Sequence, residues 1–286
     1  MTGWFPFAVA ALFLMGAQRF LYKVAAEQVR GTAWTTLWFM ATVTVISGIA
    51  FLWRGVTVSD IRFLLVVGLA NSISFLAATV SHIEALKRLP AGIAYPLIRL
   101  DVVLVVLISL LFFHENVSAT QGAGILLGFG AALLIARQRN NGGASPTSSN
   151  RGFLFVAFAI LAGTGAAVSS RFAALGTDKT AFMAVSYGLS TLFISGFGVG
   201  GKRGEEPARL RGPFFIGFAM GVLNVAGYYA YLEALARGPL SLVTVITGMH
   251  FVVAIVLSVL IYRERLTPVR LVGITLTVVS LILLRS

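Results

Sequence analysis

The sequence contains no cysteine, and only 11% of its 286 residues are charged. The absence of cysteine excludes disulfides, thiol catalysis and cysteine-based metal sites. Soluble domains carry about 25% charged residues, so the low charged fraction, together with 58% hydrophobic residues, predicts an integral membrane protein. The sequence also lacks the motifs of a P-loop, a zinc protease or a catalytic triad, and we expect no enzyme activity, cofactor or metal.

Acidic residues are scarce as well, with 10 against 22 basic residues and a net charge of +12. Most basic residues lie at the ends of apolar runs, where they meet lipid headgroups. Because they form no basic face and belong to no known module, nucleic acid is not an expected partner. The first apolar run begins at Trp4 with no basic segment before it, so no cleavable signal peptide is expected.

Ten apolar runs are each about long enough to cross a bilayer as a helix, which takes about 20 residues. They cover residues 4–22, 34–53, 61–86, 91–113, 119–137, 152–170, 181–200, 212–235, 239–262 and 267–284. A polar linker at 138–151, rich in Gly, Ser, Pro and Asn, separates a first unit of five runs, 1–137, from a second unit, 152–286.

A sequence repeat relates the two units. The segment EALKRLP at 84–90 returns as EALARGP at 233–239, and the same 149-residue offset matches Ser109 with Ser258 and Glu115 with Glu264. Two copies of one structural unit are therefore expected. Five crossings is an odd number, so the second copy enters the membrane from the opposite face. The predicted fold is an all-α membrane protein, with ten transmembrane helices in two inverted five-helix repeats around a central cavity.

The two membrane faces differ in charge. We call the face that carries both predicted termini face A and the opposite face B. Most basic loop residues belong to face B, whereas face A holds a smaller set: Arg54, Arg62, Lys179, Arg237 and Arg285. The positive-inside rule then places face B in the cytoplasm and the termini outside.

The second unit resembles the second repeat of an EamA-type member of the drug/metabolite transporter superfamily. The resemblance rests on A-L-x-x-G-P-L at 234–240, R-E-R-L-T-P at 263–268 and the helix containing Gly273. The first unit is similar more loosely, through P-L-I-R-L at 96–100 and H-E at 114–115. This resemblance implies a ten-helix basket, with a cavity lined mainly by helices 1, 3, 4, 6, 8 and 9, that exports or exchanges small metabolites such as amino acids. It also implies cytoplasmic termini, in disagreement with the charge distribution.

Asp101 and His250 lie near the centres of the fourth and ninth runs, at equivalent positions of the repeat. Similar proteins often carry proline there. An ionisable group at bilayer depth faces a cavity or a partner, and His titrates near neutral pH. We predict a proton-sensitive pair or part of a binding site, with a purely structural hydrogen bond as the alternative. Arg99 is a candidate ligand for a substrate carboxylate, or the ion-pair partner of an acid.

Further polar residues lie near this depth. Tyr95, Asn71, Asn224 and Tyr228 are candidate substrate contacts, with interhelical hydrogen bonding as the alternative for the asparagines. Near the two mouths, Arg19 with Glu84, and Arg171 with Glu233, are candidate ion pairs that close each face in turn. Ordinary contact of these charges with headgroups is the alternative.

The leading interpretation is a secondary carrier that moves amino acids or related anionic or zwitterionic metabolites by alternating access, as an exporter or exchanger. A lipid or lipid-linked flippase is the alternative, and it would need a lateral opening between helices. The expected partners are a small-molecule substrate, protons as a candidate coupling ion, and membrane lipids. We expect a monomer or homodimer in a prokaryotic cell (inner) membrane.

Overall fold

Continuous apolar runs fold as α-helices because, in lipid, every backbone N–H and C=O must find its partner inside the helix. The computed structural model describes residues 3–28, 32–89, 94, 97–138, 150–196, 211–262 and 267–285. Within these residues the structure is all-helical. The helices are α1 (Phe5–Gln28), α2 (Thr32–Arg54), α3 (Ile61–Arg88), α4 (Leu100–Phe112), α5 (Ala119–Gln138), α6 (Asn150–Gly176), α7 (Lys179–Ile194), α8 (Arg211–Arg237), α9 (Leu240–Gly248), α10 (His250–Tyr262) and α11 (Pro268–Arg285).

Every predicted run contains a helix, with two differences from the prediction. The run 239–262 is divided into α9 and α10, and the run 91–113 is described as a helix mainly from α4 onward. In the part of the chain that the structure describes, six apolar stretches are long enough to cross a membrane: Trp34–Arg54, Ile61–His82, Asn150–Gly176, Arg211–Arg237, Leu240–Ile261 and Pro268–Arg285. Shorter apolar helices occupy Phe5–Leu21, Leu100–Phe112 and Ala119–Leu134.

Polar side chains in the short loops fix where several helices begin. Asp60 accepts a hydrogen bond from Phe63 N at 2.9 Å at the start of α3. Asp178 accepts from the backbone N–H groups of Thr180 and Ala181, at 2.9 and 3.0 Å, at the start of α7. Each carboxylate satisfies N–H groups that have no partner within the helix, and it complements the helix dipole.

The helices of one repeat pack mainly against those of the other. The most extensive contacts join α3 to α6, α1 to α8, α2 to α8, α5 to α11 and α2 to α7. The absence of a side chain at Gly221 lets α8 approach α2 closely, since a Cβ added there would lie 2.5 Å from Thr42 Cβ. The apolar faces of each repeat are therefore covered mainly by helices of the other repeat.

The outer surface carries large apolar side chains, including Leu52, Trp53, Phe112 and Leu126. A water-exposed surface of this kind would be unstable, whereas lipid accommodates it. At one end of the molecule the guanidinium of Arg285, near the end of α11, lies 5.9 Å from the centroid of the Phe5 ring, at the start of α1. The two ends of the helical array therefore lie on one face, face A.

Candidate functional site

Helical structure is interrupted at nearly equivalent points of the two repeats. A turn at Met249 separates α9 from α10, and a turn at Arg99 precedes α4. Met249 N donates to Ile246 O at 3.1 Å, and Val102 N donates to Arg99 O at 3.2 Å, which are i to i+3 bonds of tight turns. At the repeat offset Arg99 corresponds to Gly248, so the turns lie within one residue of equivalence. Interrupted helices at membrane depth are tolerated where they are buried in protein or line a cavity.

Asp101 lies in the first turn of α4 and faces α6. Its Oδ1 accepts a hydrogen bond from Val102 N at 2.8 Å. On α6, Gly163 leaves the space that the carboxylate occupies, since a Cβ added to that glycine would lie 3.1 Å from Asp101 Oδ2. α6 can therefore approach Asp101 this closely only because Gly163 has no side chain.

His250 is the first residue of α10 and is buried. Its Nδ1 donates to Thr247 O at 2.7 Å, a carbonyl at the end of α9. In a neutral ring, Nε2 then carries the lone pair. Gly16 of α1 packs directly on this turn, because a Cβ added there would lie 2.8 Å from His250 O and 2.4 Å from Val253 Cβ.

Five ionisable groups from α1, α3, α4 with its preceding turn, and α10 share one electrostatic neighbourhood. Arg19 and Arg99 both act electrostatically on Asp101, His250 and His82. His250 is buried, Arg99, Asp101 and His82 are half-buried, and Arg19 is exposed. The group therefore extends from the interrupted helices toward the surface. We call these five residues the central cluster.

The central cluster differs from the prediction in two members. The sequence predicts a gate between Arg19 and Glu84; in the structure Arg19 belongs to the central cluster, and Glu84 accepts an ion-paired hydrogen bond from Arg88 one turn along α3. His82 is not among the predicted site residues, although a histidine inside a predicted membrane helix is a signal that the sequence contains. Tyr95 lies outside the described residues.

Asn71 is the hub of a polar network that joins α3, α6 and α7. Its Nδ2 donates to Ala166 O at 3.0 Å and to Ser169 Oγ at 2.9 Å, and its Oδ1 accepts from Ser186 Oγ at 2.8 Å. Ser170, also within 3.1 Å of Nδ2, lies 2.8 Å from the hydroxyl of Tyr228 on α8. Both polar atoms of the amide have protein partners, which favours interhelical contact over substrate binding.

Asn224 joins α8 to α1. Its Nδ2 donates to Gln18 Oε1 at 3.0 Å, and both side chains are buried. Its Oδ1 is buried and has no hydrogen-bond partner within the described part of the chain. Of the two asparagines, Asn224 is therefore the one with an acceptor still available.

The predicted pair of Arg171 and Glu233 is not formed in this structure. Glu233 contacts Lys179 at 3.1 Å and Arg237 at 2.8 Å. Arg237 lies one helical turn from Glu233 on the same face of α8, so it is the nearer cation.

Arg171 has other partners. Its NH1 donates to Gly238 O at 2.7 Å, and its NH2 lies 4.0 Å from Glu115 Oε1. The side chain thus ties α6 to the turn between α8 and α9 on face A.

A small apolar cavity lies between α4, α5 and the α9–α10 turn. Arg99 is the one charged residue among those that line it, with Gly128, Phe129 and Met249 among the others. Its volume of about 30 Å³ would hold about two water molecules, so it does not form a lateral entrance for a lipid in this conformation. Among the described residues, no three His, Asp or Glu side chains group as metal ligands do.

The family model of the EamA-like transporter family matches residues 2–137 and again residues 151–286. The chain belongs to the EamA-like transporter family. The two matches coincide with the two repeats of the sequence. The chain is thus a membrane transporter of the drug/metabolite transporter superfamily, and a multi-pass integral membrane protein.

Comparison with solved structures supports the fold of this EamA-like transporter. One crystal structure of a protein superposes with a TM-score of 0.78 at 19% sequence identity, covering 99% of this chain and 96% of that chain. At that identity the likeness concerns the fold alone. No curated protein matches the chain.

Proposed function

We propose that this EamA-like transporter is a secondary carrier for amino acids or related anionic and zwitterionic metabolites. In this proposal ten membrane helices form two inverted five-helix repeats, and the substrate binds between them at the central cluster. The observation that carries the proposal is that Arg99 and Asp101 lie at the interruption before α4 and His250 at the one between α9 and α10, within electrostatic range of Arg19 on α1. Inverted repeats with sites at discontinuous helices are the usual build of secondary carriers.

The charges of the central cluster suit a zwitterion. Two guanidinium groups offer planar pairs of N–H donors that match a carboxylate. Asp101 offers the opposite charge, and an ammonium group is the substrate part that it would hold. With both histidines neutral, the two arginines and one aspartate sum to +1, so the site also attracts a simple monoanion.

No nucleotide-hydrolysing motif is present in the sequence, so the driving force we propose is a substrate gradient, exchange or protons. His250 and His82 are the groups in the cluster whose ordinary titration range spans neutral pH. Export or exchange is the direction that the family resemblance implies.

The test is uptake into proteoliposomes across metabolite classes, with and without a pH gradient. We expect amino acids or related acids to be taken up and Arg99→Gln to reduce uptake at least tenfold, which corresponds to about 1.4 kcal/mol. Arg62→Gln is the matched control, since Arg62 is an exposed arginine on face A, away from the cluster. Equal losses in the two variants, or transport confined to lipids, would refute the proposal.

A further inference from the structure

Glu115 of the first repeat makes the first contacts of a helix in the second repeat. Its Oε1 accepts from Leu240 N at 2.5 Å, and its Oε2 accepts from Ser241 N at 3.1 Å and Ser241 Oγ at 2.7 Å. Ser109 Oγ donates to the same carboxylate and also accepts from Ser241 N at 3.2 Å. Leu240 and Ser241 are the first two residues of α9. The residue in the N-cap position, Pro239, makes no side-chain cap, so Glu115 provides the cap from the other repeat.

Arg171 and Trp4 complete this arrangement on face A. Arg171 donates to Gly238 O at 2.7 Å and lies 4.0 Å from the Glu115 carboxylate. Trp4 covers Gly238, since a Cβ added to the glycine would lie 2.5 Å from Trp4 Cγ. Four separate parts of the fold therefore meet where α9 begins: α6, the residue before α1, the α4–α5 loop and the α8–α9 turn. We call Ser109, Glu115, Arg171, Gly238, Leu240 and Ser241 the face-A latch.

The other end of α9 lies at the central cluster. The helix has nine residues, or roughly 13 Å at 1.5 Å per residue, and it is buried from Leu240 to Thr247. Thr247 O accepts the hydrogen bond from His250 Nδ1, and the turn at Met249 follows. One short helical segment thus runs from the latch to the proposed substrate site, with the turn at Met249 at its inner end.

We propose that Glu115 is a positioning residue for transport, and that its carboxylate holds α9 seated and face A closed. When its bonds to Leu240 and Ser241 break, α9 tilts about Met249 and opens the central cluster to face A. This inference rests on the proposed function, in which the two faces open in turn. The repeat places a second Ser–Glu pair, Ser258 and Glu264, in the second unit; Glu264 lies outside the described residues.

The absence of cysteine makes a single introduced thiol a clean reporter. Thr244→Cys places it at a buried position one turn inside the latch. Its reaction with a membrane-impermeant maleimide, added separately to each face of oriented proteoliposomes, measures opening without any knowledge of the substrate. Glu115→Gln keeps the side-chain volume, but its amide NH2 replaces an acceptor and faces the donors of Leu240 or Ser241.

We expect Glu115→Gln to speed labelling from face A about tenfold or more, as the loss of one charge-assisted hydrogen bond would. Ser241→Ala, which removes one of the donors, should give a smaller increase of about threefold. Asp60→Asn is the matched control, because Asp60 is a face-A carboxylate that caps α3 within its own repeat. Its labelling should stay within about twofold of the parent, since Asn is also a good N-cap residue.

Each outcome decides the inference. If Glu115→Gln fails to fold, as judged by size-exclusion chromatography, the folded Ser241→Ala and Ser109→Ala variants give the answer by the same assay. Unchanged face-A labelling in the folded variants, or equal labelling in Asp60→Asn, would overturn the role of Glu115 while leaving wild-type transport, and hence the proposed function, intact. Faster labelling in a protein that transports none of the tested metabolites would instead support the latch and refute the proposed function.

Discussion

Replacing Gly16 with alanine tests how closely α1 must approach the α9–α10 turn. The added Cβ would lie 2.4 Å from Val253 Cβ and 2.8 Å from His250 O. Carbon atoms pack at about 3.5–4.0 Å, so α1 would have to move outward by about 1 Å. Overpacking of this kind costs about 1–3 kcal/mol.

Gly48→Ala on α2 is the matched control, because nothing lies within 4 Å of a Cβ added there. An interior helical glycine gains up to about 1 kcal/mol on change to alanine, and this gain applies at both positions. This gain cancels in the comparison, so the two variants should differ by the overpacking cost, roughly 1–3 kcal/mol, or about 2–12 °C in Tm. Arg19 lies three residues beyond Gly16 on α1, so the same shift moves a member of the central cluster, and uptake should fall about tenfold or more.

The measurement is thermal unfolding in detergent, followed by size-exclusion chromatography, together with uptake into proteoliposomes. If Gly16→Ala is as stable and as active as Gly48→Ala, the close contact between α1 and the α9–α10 turn does not govern either property, and the reasoning is refuted.

Three further predictions follow from the same structure. Asn71→Ala should lower stability by about 2 kcal/mol or more, because it leaves the buried Ser186 hydroxyl without its acceptor and removes the donor to Ala166 O and Ser169 Oγ, while KM stays unchanged. An altered KM at full stability would make Asn71 a substrate contact. His250→Gln should flatten the pH dependence of uptake, because it removes a titratable ring that interacts electrostatically with Arg19 and Arg99. Full retention of that pH dependence would rule out proton coupling through this ring. Topology reporters at the two termini should lie on one side of the membrane, and a reporter in the linker 139–149 on the other, since five crossings separate them.

The helices were predictable because the membrane restricts the choices. A run of apolar residues in lipid has to be helical, so the predicted 61–86 and 212–235 correspond to Ile61–Arg88 and Arg211–Arg237. The break at Met249 was not predictable in the same way. No proline marks it, and it is accompanied by tertiary contacts: Gly16 of α1 packs beside His250, and a Cβ added to Gly128 of α5 would lie 2.7 Å from Met249 Cε.

The candidate site was predictable in part, for a similar reason. Asp101 and His250 were visible as ionisable residues at bilayer depth and at equal positions in the repeat. The contribution of Arg19 depends on how α1 crosses α10, and the cap from Glu115 to Ser241 joins residues of different repeats. Both features depend on how one repeat packs against the other, and no local sequence pattern encodes that packing.

The segments EALKRLP and EALARGP contain the ends of equivalent helices in the two repeats. In each, the glutamate pairs with the arginine four residues later, Glu84 with Arg88 and Glu233 with Arg237. In each, the residue after the helix donates to the carbonyl four residues before it at 2.8 Å, Leu89 N to Ala85 O and Gly238 N to Ala234 O.

What the two repeats share therefore ends a helix, before a proline that cannot continue it. Ser109 and Glu115 also recur in the second unit, and in the first unit they cap the start of α9 in the other repeat. Two positions where the copies carry different groups at bilayer depth, Arg99 against Gly248 and Asp101 against His250, lie instead at the interrupted helices. Paired structural residues serve both copies of an inverted fold in the same way, whereas a single asymmetric substrate at the interface needs different groups from each repeat. The unlike pairs are accordingly the positions where substitution should change which substrate is carried, rather than whether the protein folds.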